Sequence, residues 1–173
     1  MSMHSKKIRT NITTVYLQDS GRKTSLLTDR KFSLLLDSAI KVFENFLLKS
    51  KFVATAESIE YNLSFCGKAK IKSLNQQYLS KDKVTDVLSF PLNDFYHEND
   101  NAHSHINLGD IFICKEVAYQ QSVEFNISYN QELIQLFVHG LLHLFGLDHE
   151  LSKKEEREMV QLEQKFIKMI YRK

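Results

Sequence analysis

The segment QELIQLFVHGLLHLF, residues 131–145, places apolar side chains on nearly every side of a helix. A helix that is apolar all round is stable only when other elements cover it. We therefore predict a buried central helix here, around which the rest of the chain packs. Two histidines, His139 and His143, interrupt the apolar run. A buried imidazole needs partners for its ring nitrogens, because an unsatisfied buried polar group costs about 1–3 kcal/mol.

Shorter patterns on both sides of this helix predict a small mixed sheet that further helices cover. Strands are expected where β-branched and apolar residues alternate or cluster, over 12–17, 57–65, 87–90 and 111–113. Amphipathic helices are expected over 32–47, 68–79, 115–125 and 155–171. Residues 93–108 are polar and favour a long surface loop. Helices and strands do not alternate strictly, so the predicted class is α+β.

Length and composition indicate one compact unit. The chain has 173 residues, a single Pro and no internal repeat, so we expect residues 1–173 to form a single domain. The two cysteines, Cys66 and Cys114, are far apart in sequence and form no C-x-x-C pair, so they imply neither a disulfide scaffold nor a cysteine-only zinc site. The N-terminus has no secretory pattern and no segment reaches about 18 uninterrupted apolar residues. A cytoplasmic location without a membrane partner is therefore expected.

Charge is distributed unevenly along the chain, although the net charge is only +2. Residues 1–31 carry seven basic residues and two acidic ones, whereas residues 94–132 carry seven acidic residues and Lys115 alone. This segregation permits one basic face and one acidic or metal-attracting region. Solvated loops and helix faces that differ in the sign of their charge explain most of these residues equally well. A net charge of +2 does not by itself indicate a nucleic-acid partner.

The histidine spacing predicts a metal site at the end of the central helix. His139 and His143 are four residues apart, so they share one helix face. Gly146 can take a left-handed conformation that ends the helix and turns the chain, bringing His149 beside them. Three imidazoles with one open position are typical of a catalytic zinc site. Asp148 could orient a ligand, and Asp110 could reach the site.

The same spacing occurs in the metzincin proteases, whose pattern is H-E-x-x-H-x-x-G-x-x-H. Their glutamate, which serves as general base, is replaced here by Gly140. A peptidase with this sequence would therefore lack its general base.

Three segments of the chain resemble the YbeY family of bacterial metal-dependent endoribonucleases. The first is LNQQYLSKDKVTDVLSFP (residues 74–91), the second LGDI (residues 108–111) and the third VHGLLHLFGLDH (residues 138–149). Their order and spacing cover the chain from about Leu74 to the C-terminal helix, and the third segment is highly specific. The N-terminal part of the chain is compatible with the layout of the family but carries no motif.

The resemblance implies one zinc ion held by His139, His143 and His149. It also implies a cytoplasmic endoribonuclease specific for single strands, acting in 3′-end maturation of small-subunit ribosomal RNA and in ribosome quality control. The small ribosomal subunit and its assembly factors are the implied partners. Neither the resemblance nor the residues identify a general base or nucleophile, so no catalytic side chain is assigned.

Two positions depart from the family pattern, which usually has arginine where this chain has Leu79 and proline where it has Val84. A leucine cannot bind phosphate or stabilise a developing charge. Lys81 and Lys83 could supply charge instead, or could be solvated surface lysines. The departure leaves open an alternative function, a metal-stabilised ribosome assembly factor with little or no catalysis.

Two further groups of residues are weaker candidates. His97, His103 and His105 could form a second metal site, although exposed loop histidines are the expected reading because the segment has no strand pattern. Lys68, Lys70 and Lys72 could form an RNA-facing patch near Tyr78, but a solvated helix face is favoured.

Overall fold

The computed structural model describes residues 2–21, 25–50, 56–92, 104–147 and 152–172. The five strands are β1 (Ser2–Arg9), β2 (Thr13–Gly21), β3 (Ser58–Cys66), β4 (Val87–Pro91) and β5 (His105–Cys114). The five α-helices are α1 (Arg30–Lys49), α2 (Lys68–Leu79), α3 (Lys115–Glu124), α4 (Tyr129–Leu144) and α5 (Lys153–Tyr171). A short 3-10 turn, Leu26–Thr28, precedes α1. None of the helices described is both long and apolar enough to cross a membrane.

The strands form one mixed sheet in the order β1-β2-β3-β5-β4. The central strands β2, β3 and β5 run parallel, and the edge strands β1 and β4 run antiparallel to their neighbours. Strict alternation of burial along β3 turns Ile59, Tyr61, Leu63 and Phe65 toward the main core. The predicted α+β class with a small mixed sheet is confirmed.

Helix α4 occupies the centre of the main core, as its sequence predicts. It contacts β4 and β5 of the sheet and the helices α1, α3 and α5. A capping box starts it: the Ser128 hydroxyl accepts from the Gln131 N–H, and the Gln131 side chain accepts from the Ser128 N–H. Such a box satisfies two backbone donors that the helix cannot pair internally, which explains why α4 begins two residues before the predicted start.

A smaller apolar cluster lies on the opposite face of the sheet, under α2. Its buried members are Cys66, Ile71, Leu74, Leu88 and Cys114. Both cysteines are free and buried, and burial raises the pKa of the Cys66 thiol to about 12. A thiol with so high a pKa is not nucleophilic at neutral pH, so the two cysteines serve as small apolar residues.

Two strand assignments differ from the sequence expectations. The predicted loop over 93–108 is wrong at its C-terminal end, because β5 begins at His105. Ile106 and Leu108 are buried, and Ile106 pairs with Ile59 of β3. Strand β1 was not predicted, because its mostly exposed polar residues have no apolar face to reveal it. An edge strand of this kind is held by backbone hydrogen bonds to its neighbour, here β2.

Candidate metal centre

His139 and His143 lie side by side on one face of α4. Their rings meet nearly edge to face with centroids 4.6 Å apart, and their Nε2 atoms are 3.1 Å apart. Two nitrogens bound at about 2.05 Å to one tetrahedral zinc ion lie about 3.3 Å apart. The two nitrogens are thus already spaced as ligands of a single ion.

Glu163 of α5 supports this pair from the other side of His139. Its Oε1 atom lies 2.7 Å from Nδ1 of His139, and both side chains are 29% exposed. A carboxylate accepts a hydrogen bond only from a protonated nitrogen, so this contact favours a hydrogen on Nδ1 and none on Nε2. A carboxylate behind a metal-binding histidine is the usual supporting arrangement.

The sequence contains a signal for Glu163 that the histidine pattern did not reveal. The buried face of α5 comprises Met159, Phe166 and Ile170. Position 163 falls on this same stripe, four residues after Met159 and three before Phe166. A carboxylate on the apolar face of an amphipathic helix requires a partner, and here the partner is His139.

The turn after α4 has the predicted conformation. Gly146 has φ +103°, its N–H donates to the carbonyl of His143, and the Leu147 N–H donates to the carbonyl of Leu142. These two bonds define a Schellman motif. His149 and Asp148 lie outside the described residues. Among the residues that the structure does describe, no group of three His, Cys, Asp or Glu side chains could hold a metal ion, so the third ligand stays a prediction.

Gly140, between the two histidines, packs directly against the sheet. A β-carbon at this position would lie 2.9 Å from Cγ2 of Ile111 and 3.1 Å from Oγ of Ser89. The glutamate of the protease pattern therefore has no room here. Asp110 does not approach the histidines either, because it precedes Ile111 on β5 and accepts a 2.7 Å hydrogen bond from Asn62 on the other face of the sheet.

A cavity of about 410 Å³ opens beside His139, between α4, α5 and the start of β4. Its wall is a mixture of apolar and polar side chains that contains no lysine or arginine: Asp86, Val87, Glu132, Gln135, Leu136, Val138, His139, Glu163, Gln164 and Ile167. Three of these residues are acidic, so the cavity wall attracts cations and hydrogen-bond donors rather than bare anions.

Asp86 and Glu132 carry opposite pKa shifts in this wall. Burial alone would raise the pKa of Asp86, but hydrogen bonds from Gln121, the Val87 N–H and the Thr85 hydroxyl together hold it below its ordinary value. Burial, and then the charge of Asp86, raise the pKa of Glu132. Glu132 is only 3% exposed, and its buried Oε2 atom has no hydrogen-bond partner among the residues that the structure describes. The two carboxyls in this wall therefore differ in how readily they ionise.

Leu79 and the lysines of α2 lie on the opposite side of strand β4 from the histidines. Val87 and Ser89 of β4 face the α4 side, whereas Leu88 and Phe90 join the cluster under α2. Leu79 ends α2 and is 46% exposed. The neighbouring Tyr78 packs against Phe90, with ring centroids 5.0 Å apart. The patch predicted around these residues is therefore separate from the metal centre.

Several of the weaker charged candidates form contacts on the protein surface. Lys72 forms an ion pair with Asp82 at 3.2 Å, and Lys68 donates to Gln120. His105 is exposed on β5, with Nδ1 2.7 Å from the Ser58 hydroxyl. His97 and His103 lie outside the described residues, so the second histidine cluster stays a prediction.

Comparison with known proteins identifies the family to which the chain belongs. A family model described as "Endoribonuclease YbeY" matches residues 26–171. An Endoribonuclease YbeY of Finegoldia magna is 44% identical over 133 residues, covering 77% of this chain and 80% of its own length. Another, from Thermodesulfovibrio yellowstonii, is 37% identical over 137 residues, covering 75% and 83%.

A solved structure adds evidence for the fold. The solution structure of TM1509 from Thermotoga maritima superposes with a TM-score of 0.54 at 30% sequence identity, covering 83% of this chain and 85% of that one. The family-model match over residues 26–171 contains the whole of helices α4 and α5. By the extent of these matches, the chain belongs to the Endoribonuclease YbeY family.

Proposed function

We propose that this chain is a zinc-dependent endoribonuclease, specific for single strands, that acts in 3′-end maturation of small-subunit ribosomal RNA and in ribosome quality control. The observation that carries the proposal is the pairing of His139 and His143, whose Nε2 atoms lie 3.1 Å apart beside a cavity. Relatives named Endoribonuclease YbeY support the RNA activity. Under this proposal residues 1–173 work as one cytoplasmic domain.

The proposed ligands of one zinc ion are His139, His143 and His149. Bound there, zinc would polarise a phosphate oxygen or lower the pKa of a water molecule. Glu163 lies 2.7 Å from Nδ1 of His139 and would leave Nε2 to bind the ion. Imidazole ligands are neutral, so the charge of the ion is retained to attract phosphate.

The acidic cavity wall limits where an RNA backbone can lie. Asp86, Glu132 and Glu163 repel phosphates, so we expect the backbone to contact the protein at the histidines rather than along this wall. Sugar hydroxyls and base amino groups are hydrogen-bond donors, which suit the acceptor-rich wall. Single-stranded RNA exposes both, and this favours a single-stranded substrate. The small ribosomal subunit and its assembly factors are the proposed partners.

Metal content and RNA cleavage test the proposal together. Purified wild-type protein should contain about one zinc per chain and cleave single-stranded RNA in a metal-dependent manner. His143→Ala should lose zinc, and His139→Ala should lose both zinc and cleavage. His105→Ala is a matched control, because His105 is an exposed histidine on β5 that contacts Ser58. Unchanged zinc content in His143→Ala would refute the site, and cleavage retained by His139→Ala would point to another nuclease.

A second candidate function keeps the metal but assigns little catalysis to the chain, which would then be a metal-stabilised ribosome assembly factor. Leu79 motivates it, because a leucine replaces the arginine that the family pattern leads us to expect there. A peptidase function is disfavoured, since the tight packing at Gly140 leaves no space for a glutamate.

A further inference from the structure

Three side chains form a continuous hydrogen-bonded series from α5 to α4. Oε1 of Glu163 lies 2.7 Å from Nδ1 of His139, and Nε2 of His139 lies 3.1 Å from Nε2 of His143. Both distances are hydrogen-bond lengths. Each contact therefore needs one hydrogen. The nitrogen that carries the hydrogen in the Glu163–His139 contact limits which nitrogen can carry it in the His139–His143 contact.

The carboxylate of Glu163 determines which atom carries the hydrogen in its contact with His139. An ionised Glu163 can only accept, so Nδ1 of His139 carries the hydrogen. A neutral imidazole carries one ring hydrogen, which leaves Nε2 of His139 as an acceptor. The hydrogen between the two Nε2 atoms must then belong to His143. The two histidines thus occupy different tautomers: Nδ1–H in His139 and Nε2–H in His143.

We propose that Glu163 is the positioning residue of this site, holding His139 in the Nδ1–H tautomer so that its Nε2 lone pair is ready for a metal ion. The structure also assigns His143 as the ligand that must rearrange. Ligation through its Nε2 requires that this nitrogen be free of hydrogen. His143 loses the hydrogen from Nε2 and gains one on Nδ1, so its charge does not change. The zinc step rests on the proposed function; the tautomer assignment does not.

The packing of α5 gives Glu163 a defined place. Met159 and Phe166 flank it on the buried face of the helix, and the ring of Phe166 meets those of Phe43 and Phe46 of α1 edge to face, with centroids 6.3 and 5.2 Å apart. A helix anchored in this way cannot rotate without breaking apolar contacts. The carboxylate is therefore delivered to His139 by the docking of α5, and the metal centre depends on the C-terminal helix.

The first test uses metal-free protein. Long-range ¹H–¹⁵N NMR of the imidazole rings at pH 8 distinguishes the two tautomers. Wild-type His139 should be Nδ1–H and His143 should be Nε2–H. In Glu163→Ala, His139 should shift to mixed or mainly Nε2–H signals, and Glu163→Gln should lie between the two. Gln164→Ala is the matched control, because Gln164 lines the same cavity from the next position of α5. An Nδ1–H signal for His139 that persists in Glu163→Ala overturns the proposal.

The second test measures zinc affinity by competition with a chromophoric chelator. Glu163→Ala should bind zinc about 10–100-fold more weakly than wild type, the usual loss when a supporting carboxylate is removed, and Gln164→Ala should bind as wild type does. Zinc should also move the His143 hydrogen to Nδ1. Equal affinity in Glu163→Ala and wild type would overturn the positioning role. If wild-type protein bound no zinc while the tautomers still responded to Glu163, the proposed function would fail and the assignment of Glu163 would stand. If Glu163→Ala does not fold, the Glu163→Gln variant carries both tests.

Discussion

Gly140 lies so close to Ile111 that a β-carbon on the glycine would meet Cγ2 of the isoleucine at 2.9 Å. The close approach lets α4 rest directly on strand β5. One glycine thus sets the distance between the helix and the sheet. It also explains why the histidine pattern of a protease occurs here without the protease glutamate.

Gly140→Ala should destabilise the protein by about 1–3 kcal/mol, because the added methyl group overfills a packed interface. Urea unfolding followed by circular dichroism measures the loss. Gly67→Ala is the control: a β-carbon there would meet Oε1 of Glu116 at 3.2 Å, and this flexible carboxylate can move aside. Equal losses in the two variants would contradict the importance of the helix–sheet contact.

Gly146→Ala should cost about 1–2 kcal/mol, since φ of +103° is unfavourable for residues with a β-carbon. Gly146→Asn should cost less, because asparagine tolerates left-handed backbone better than alanine does. Thermal unfolding of the metal-free proteins ranks the three. An alanine variant at least as stable as the asparagine variant would show that backbone strain is not the cause.

Glu132→Gln should change how stability depends on pH. The pKa of Glu132 is raised above its ordinary 4.5 in the folded state, by burial and then by Asp86. A raised carboxyl pKa means that the folded state binds its proton more tightly. The stability contributed by Glu132 is therefore complete below pH 4.5 and is lost as the pH rises through the folded-state pKa.

At pH 8 the Glu132→Gln variant should therefore be more stable than wild type by on the order of 1 kcal/mol, and the advantage should vanish near pH 4. Urea titrations at both pH values measure the difference. Asp86→Asn in the same background should reduce the advantage, because it removes the neighbouring charge. An advantage that is equal at the two pH values would indicate packing rather than protonation.

Leu79→Arg should increase cleavage of single-stranded RNA by about tenfold at RNA concentrations well below saturation, because a charge-assisted contact to a phosphate away from the histidines would strengthen RNA binding by about 1.4 kcal/mol. The exposed end of α2 can accept the longer side chain without disturbing the core. Initial cleavage rates measure the gain, Leu79→Met is the uncharged control, and association with the small ribosomal subunit should not change. An unchanged rate would mean that arginine at this position has no part in the chemistry of this chain.

Local patterns were sufficient where burial alternates with a clear period. The alternation of Ile59, Tyr61 and Leu63 predicted β3 almost to the residue, and the stripe of Phe32, Leu36 and Ile40 predicted α1. Strand β1 and the first half of β5 were not predicted, because their stability comes from backbone pairing with neighbouring strands. Pairing of this kind leaves little trace in the composition of either strand.

By itself the sequence determined that α4 is buried, that His139 and His143 share one of its faces, and that Gly146 turns the chain after it. These features follow from helical periodicity and from the backbone freedom of glycine, both of which are local properties. Only the tertiary structure decided that Glu163 meets His139, that Asp110 turns away, and that Leu79 lies across β4 from the histidines. Each of these depends on which face of one element packs against another, and that is settled by the core as a whole.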